Sequence, residues 1–419
     1  MSARVPSGAA LPEPPSTGPT PPVVPRASLE PNVKALGAVS LLADVSSEMI
    51  YPLLPLFVTT VLGGSATMLG AIEGLAETTA SLLKLASGWW SDRVRRKPLV
   101  LFGYGVSSLA RPLMGFAAAP WHVLVVRMSD RVGKGLRSSP RDALLAASVS
   151  PDSRGRAFGF HRAADNLGAF VGPMVAWFLL QGAGMPLRSV FLWAAVPGVL
   201  SLMVLAWFVR EPVRAAEPVR RASMQAKTSD APNGPSLSPA FWRYLAVLGV
   251  FTLGCSSDAF LLMRAGQLGV ATALIPVLWA MHNLLKSAAS TPAGSLSDRI
   301  GRKPVIVAGW LVYAAVYLLF AQATQAWHAW ALFGAYALYL GLVEGVEKAL
   351  VADLVPAERR GRAFGLFNFT VGIAALPASV VFGVVWERWG AQVAFGMGAA
   401  LAGAAAVALM LLVPAPKRN

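Results

Sequence analysis

Long apolar runs alternate along the chain with short polar breaks rich in Gly, Pro and Arg. Twelve such runs can be marked, at 34–58, 67–90, 98–118, 121–148, 157–181, 189–209, 240–264, 270–292, 304–323, 327–353, 362–386 and 391–413. A helix needs about 20 residues to cross the hydrocarbon of a bilayer. A membrane strand needs about 10, so these runs are too long for strands. Backbone in lipid must satisfy its own hydrogen bonds, which favours helices throughout. The pattern predicts an all-α membrane protein with twelve transmembrane helices.

Composition sharpens this reading. Apolar side chains make up 55% of the 419 residues, charged ones only 14%, and the mean hydropathy is +0.56. Ordinary soluble chains carry about 25% charge. A soluble enzyme, a disordered chain and a disulfide scaffold are excluded, the last also by the single Cys255. The net charge of +15 has a topological cause rather than a nucleic-acid partner. One set of loops holds Arg93, Arg95, Arg96, Lys97, Arg154, Arg156, Arg299, Arg302, Lys303, Arg359, Arg360 and Arg362. The alternate set holds only Arg188, Arg264 and Arg388. Lys and Arg accumulate on the cytoplasmic side, so both termini are expected inside.

The expected organisation is a disordered cytoplasmic tail at 1–33, a six-helix half at 34–209, and a basic linker at 210–239. A second six-helix half follows at 240–413, with a short tail at 414–419. The first tail is Pro-rich and has no apolar core of the kind a signal peptide needs.

The halves repeat. Gly88-Trp-Trp-Ser-Asp92-Arg93-Val-Arg95-Arg96-Lys97-Pro98 returns 206 residues later as Gly294-Ser-Leu-Ser-Asp298-Arg299-Ile-Gly301-Arg302-Lys303-Pro304. Arg154-Gly-Arg-Ala-Phe-Gly159 returns as Arg360-Gly-Arg-Ala-Phe-Gly365 at the same offset. Ser46-Ser47-Glu48 is echoed by Ser256-Ser257-Asp258 at an offset of 210. Parallel six-helix repeats imply a binding site between the halves near the midplane.

On these motifs the chain resembles the major facilitator superfamily over 34–413, as a bacterial member of a branch without an assigned substrate. The second loop copy matches that signature in full; the first has Arg95 in place of its Gly. Gly168-x-x-x-Gly172-Pro173 resembles a motif of exporters in the superfamily, without the Gly pair that usually follows. Arg127 or Arg131 matches the buried Arg of the fourth span; the spacing does not choose between them. The resemblance implies that Asp92 meets the start of span eleven, and Asp298 the start of span five.

Charges at membrane depth cost several kcal/mol each and face a partner or a wet cavity. At about 1.5 Å per residue, Asp44 lies about 15 Å into the first span, and Glu77 at a similar depth in the second. Asp44, Glu48, Glu77 and Asp258 are candidates for proton coupling, since burial can bring a carboxylate toward neutrality. In span four, Arg127, Asp130, Arg131, Lys134, Arg137 and Arg141 fall on one stripe. A stripe this basic implies an anion or an aqueous cavity opposite. Arg127, Asp130, Arg131 and Lys134 are therefore candidates for substrate binding.

A cytoplasmic gate is expected from Asp92, Arg93, Asp298 and Arg299, and from the ends of spans four and ten. By the repeat offset, Arg141 corresponds to Glu347 and Asp142 to Lys348, with Glu344 in reach of Arg137. His161 and His282 are read as packing residues ahead of relays. Cys255, Met263, Met281 and His282 form no repeated ligand pair, so no metal is expected. No nucleotide loop is present, so neither ATP nor a cofactor is implied.

The expected activity is secondary active transport of a small organic solute, anionic or zwitterionic, by alternating access with proton coupling. A polyspecific drug/proton antiporter is the alternative, and a non-transporting receptor a remote one. The expected setting is the inner membrane of a bacterium. The expected partners are substrate, protons and the bilayer, with the chain a monomer.

Overall fold

The computed structural model describes residues 30–91, 94–150, 153–211, 237–356 and 359–414. Among them the regular structure is helical throughout, with no strand. We number the segments α1 (Pro31–Val61), α2 (Ala66–Ser91), α3 (Arg96–Phe116), α4 (Pro120–Ala147), α5 (Arg154–Trp177, continued to Gly182) and α6 (Leu187–Phe208). Then come α7 (Pro239–Gln267), α8 (Ile275–Ile300), α9 (Arg302–Gln322) and α10 (Ala326–Leu354). The stretch Arg360–Leu412 turns at Gly390, whose φ of +88° ends one helix and starts another. Its two arms, 360–389 and 391–412, are α11 and α12.

Eight helices are long and apolar enough to cross a membrane, counting Arg360–Leu412 as one. The helices α2, α4 and α8 match them in length, at 26, 28 and 26 residues, but are more charged. The described residues thus form twelve segments of membrane-crossing length. The three charged helices pack inside the bundle, where polar side chains meet partners instead of lipid.

The 206-residue repeat extends from sequence to packing. α4 packs on α2 and α3, and α10 packs on α8 and α9 in the same way. Gly135 of α4 lies against Leu83 and Ala80 of α2. Gly341 of α10 lies against Ala289 and Lys286 of α8, each 206 residues further on. A side chain at either glycine would meet a backbone carbonyl at 3.1 Å, so the same residue type solves the same close crossing twice.

Both first helices of the halves are interrupted where the short motif recurs. The α-helical part of α1 ends at Glu48, and the chain continues as a tighter turn at Tyr51–Leu53. Pro52 and Pro55 follow, each without the N–H that would continue the helix. In α7, Gly254 ends the first arm and Asp258 starts the second. Cys255 and Ser257 between them are extended, and the Ser257 hydroxyl caps the new helix at Ala259 N.

The halves meet mainly through α2 against α11 and α5 against α8. At the end away from the chain termini, Thr67 donates to Glu387 through its hydroxyl (2.6 Å) and its N–H (3.3 Å). At the end that carries the termini, α4 and α10 form no packed interface among the described residues. The far end is thus tied across the halves, and nearer the termini Arg162 of α5 pairs with Glu344 of α10 at 2.9 Å.

The two copies of the loop motif differ in backbone. Gly301 takes φ +100°, whereas Arg95 sits at φ −64°, ψ 134°. A side chain at position 95 excludes the left-handed turn that glycine allows.

Crossings this tight set a stability test. A Cβ at Gly103 of α3 would meet the Gly133 carbonyl at 2.7 Å and the Arg137 Cβ at 2.8 Å. Gly103→Val should destabilise by about 1–3 kcal/mol, seen as a lower Tm of the purified protein. Gly105→Val, with open space around it, should leave the Tm little changed.

Candidate functional site: a charged cavity between the first and fourth helices

Five cations and their acids meet where α1, α2, α3 and α4 come together. A cavity of about 60 Å³ is lined by Asp44, Ser47, Glu48 and Tyr51 of α1, Arg111 of α3, and Arg127, Asp130, Arg131, Lys134 and Arg137 of α4. The break in α1 places Glu48 and Tyr51 on it.

The pairs sort these charges. Arg127 grips Glu73 of α2 through two hydrogen bonds, Nε–Oε1 at 2.9 Å and Nη2–Oε2 at 2.8 Å, with both side chains buried. Its guanidinium also lies 5.1 Å from the Tyr51 ring centre. Arg111 donates to Asp130 at 2.9 Å and to the Ala43 carbonyl at 2.7 Å, tying α3 to α4 and α1. The substrate-binding candidates Arg127 and Asp130 are therefore engaged inside the protein, since each has a charged partner on a neighbouring helix.

Arg131 and Lys134 differ. Neither makes an ion pair within 4 Å among the described residues, and the buried Nε of Arg131 has no hydrogen-bond partner. Glu77 of α2 feels their charges and that of Lys84 without a direct bond. The cavity wall holds five cations and three carboxylates; counting Glu73 as Arg127's partner still leaves five against four.

The proton-coupling candidates have separate settings. Asp44 lines the cavity, and Gly168 of α5 packs on its Cβ. Glu48 accepts from the Trp279 indole of α8 at 2.7 Å, across the two halves. Asp258 accepts from the Tyr336 hydroxyl of α10 at 2.6 Å. Its neighbour Ser257 reaches Glu73 at 3.5 Å.

The expected gate pairs are not formed here. Arg137 is 4% exposed, with its guanidinium 4.3 Å from the Tyr104 ring centre and Nη1 on the Ser107 hydroxyl at 2.5 Å. The Gly103–Gly133 crossing brings α3 over that face of α4, and Arg137 is engaged there rather than with Glu344. Glu344 pairs with Arg162 of α5 at 2.9 Å and lies 3.8 Å from Lys286. Arg141 bonds its neighbour Asp142 at 3.0 Å and Ser40 at 3.3 Å, rather than Glu347. Glu347 accepts from the Trp310 indole at 3.0 Å, and Lys348 is exposed. Asp298 pairs with Arg302 of its own loop, which also lies 3.5 Å from Asp353, and Arg299 has contacts of its own. Asp92 and Arg93 lie outside the described residues.

Sequence reading did not find Glu73, Arg111, Arg162, Lys286, Trp279 or Tyr336 as site residues. For Arg111 and Glu73 a signal existed: each is a charge inside an apolar run, so each needs a partner. Trp279 is marked in the sequence only as a Trp lying deeper than the interfacial belts, a candidate to line a cavity, and Tyr336 carries no signal.

The profile of the Major Facilitator Superfamily matches residues 36–282 and 259–419. The chain belongs to the major facilitator superfamily. An uncharacterized MFS-type transporter of Methanocaldococcus jannaschii is 34% identical over 366 residues, covering 86% of this chain and 89% of that one. The multidrug resistance protein MdtH of Salmonella newport is 24% identical over 373 residues, covering 87% and 86%. A crystal structure of a POT family transporter in complex with 5-aminolevulinic acid superposes with a TM-score of 0.75 at 12% identity, covering 92% and 96%. This member of the superfamily is a multi-pass membrane transporter and not an enzyme.

Pairing predicts which cations are structural. Arg111→Leu and Arg127→Leu each leave a buried carboxylate alone, which costs about 3–5 kcal/mol. Arg131→Leu and Lys134→Leu break no ion pair and should lower the Tm much less. Equal losses across the four variants would contradict the division.

Proposed function

We propose that this transporter moves a small organic solute, anionic or zwitterionic, by proton-coupled alternating access across the inner membrane of a bacterium. In this reading all twelve segments cross the bilayer, as halves at 34–209 and 240–413 with the linker 210–239 and both termini in the cytoplasm. The observation that carries it is the contrast on α4: Arg127 and Asp130 are paired, while Arg131 and Lys134 face the cavity with no ion pair. An unpaired cation at membrane depth is costly, and an anionic group of the solute offsets that cost.

Asp44 supports proton coupling by position: it shares the cavity with Lys134 and Arg131, so its charge and the solute's compete for the same cations. Glu48, Glu77 and Asp258 are the further candidates. In this reading the state is inward-facing, with α4 and α10 not packed together among the described residues. Closing the termini end would bring α4 toward α10, with Arg141 and Asp142 opposite Glu347 and Lys348.

A second reading, drug export by proton antiport, has its own support. Gly168 and Gly172 of the exporter-like motif let α5 approach α1, where their added Cβ atoms would meet Asp44 Cβ at 2.8 Å and Glu48 Cβ at 2.9 Å. The relative named as a multidrug resistance protein points the same way. A cationic drug as substrate would distinguish it from the anionic reading.

Transport in proteoliposomes tests the proposal. Arg131→Ala and Lys134→Ala should each weaken uptake or binding of an anionic solute by about tenfold, the worth of one charge-assisted bond. A neutral analogue should be little affected; equal losses would make the two cations structural. Asp44→Asn should abolish gradient-driven accumulation and leave solute exchange measurable. Unchanged pH-dependent accumulation would remove Asp44 from coupling.

A further inference from the structure

The two helix breaks carry carboxylates related by the internal repeat, Glu48 in α1 and Asp258 in α7. Each accepts one hydrogen bond from an aromatic side chain of the second half: Trp279 Nε1 to Glu48 at 2.7 Å, and Tyr336 Oη to Asp258 at 2.6 Å. Between those aromatics lies His282, stacked on both. Its ring centre is 4.9 Å from that of Trp279 at 15°, and 5.3 Å from that of Tyr336 at 22°. His282 is 1% exposed, and its Nδ1 lies 3.3 Å from the Phe333 carbonyl. A carbonyl can only accept, so the neutral ring carries its proton on Nδ1. Tyr51 of α1 also contacts the indole, with ring centres 5.3 Å apart and the planes tilted by 52°.

We propose that Trp279, His282 and Tyr336 form a stacked positioning element that makes closure of the far end depend on both carboxylates at once. The Glu48–Trp279 bond crosses the halves, whereas the Asp258–Tyr336 bond lies within one. Three near-parallel rings in a packed interior have little room to tilt separately. When Tyr336 is held by Asp258, His282 is held by Tyr336, and the indole N–H is held in line with Glu48. If Tyr336 is released, the rings tilt together and the Trp279 bond loses its alignment, to which hydrogen bonds are sensitive. The proposal rests on the reading of the chain as an alternating-access transporter.

The test is a distance measurement across the far end. Spin labels at Ala118→Cys and Ala271→Cys, in a Cys255→Ser background, report one loop from each half. Trp279→Phe keeps a ring but removes the donor; Tyr336→Phe does the same for the hydroxyl. Trp279→Phe should raise the open-to-closed ratio about tenfold. Glu48→Gln, which keeps an acceptor, should stay closed, and Glu48→Leu should open like Trp279→Phe. Tyr336→Phe should also open the far end, although among the described residues Tyr336 makes no hydrogen bond or ring contact with α1. The double variant Trp279→Phe/Tyr336→Phe should fall short of the product of the single effects by at least about threefold. A double variant equal to that product, or a Tyr336→Phe ratio like the parent's, would overturn the proposal. Loss of solute transport in proteoliposomes by the parent protein would instead refute the transporter reading, and the distances would still be measurable.

Discussion

Everything in the first half turns on the cost of placing charge at membrane depth. Five cations and four acids line or adjoin the cavity beside α4, and a bilayer interior cannot solvate them. The fold answers with pairs that cross helices: Arg127 to Glu73 joins α4 to α2, and Arg111 to Asp130 joins α3 to α4. Arg111 also reaches the Ala43 carbonyl, so α1 is held to the same cluster. The charges are thus the cement of the half as well as its chemistry. What the pairing leaves over, Arg131 and Lys134, is what a solute can use.

Close helix crossings make those pairs possible. The guanidinium groups reach across only because glycines let the backbones approach, Gly103 against Gly133 and Gly135 against Ala80 and Leu83. The second half repeats the crossing at Gly341 but fills its interior with aromatic rings instead of ion pairs. Trp310 stacks on Phe251 with ring centres 4.1 Å apart, and Tyr313 on Tyr317 at the same distance. One scaffold therefore carries a charged core in one half and an aromatic core in the other, and the breaks in α1 and α7 join the halves through Trp279–Glu48 and Ser257–Glu73.

The architecture was readable because its signals are local. Apolar run length marked the helices, the recurring loop and Arg-Gly-Arg motifs revealed the repeat, and Arg95 in place of glycine announced a different turn from that at Gly301. The stripe on span four was equally visible. Its division into paired and unpaired cations was not, because each partner sits on another helix at a sequence distance of 19 for Arg111–Asp130 and 54 for Arg127–Glu73. Arg137 shows the limit: spacing puts it on the stripe, but the Gly103–Gly133 crossing buries it under α3. The pairs expected from symmetry on closure are likewise not made in this state, where Glu347 has an indole within 3.0 Å and Arg141 has Asp142 beside it. Aromatic donors such as Trp279 leave no periodic trace at all.

The central claim is that the uncompensated charge of the cavity is positive. Thermal unfolding of the purified protein with a panel of small carboxylates, zwitterions, neutral analogues and organic cations at matched ionic strength measures this directly. A ligand that binds the folded state raises the Tm in proportion to the logarithm of its concentration over Kd. Anionic or zwitterionic members should raise the Tm, and the rise should vanish in the Arg131→Ala/Lys134→Ala protein. Stabilisation by organic cations alone, retained in that variant, would contradict the account.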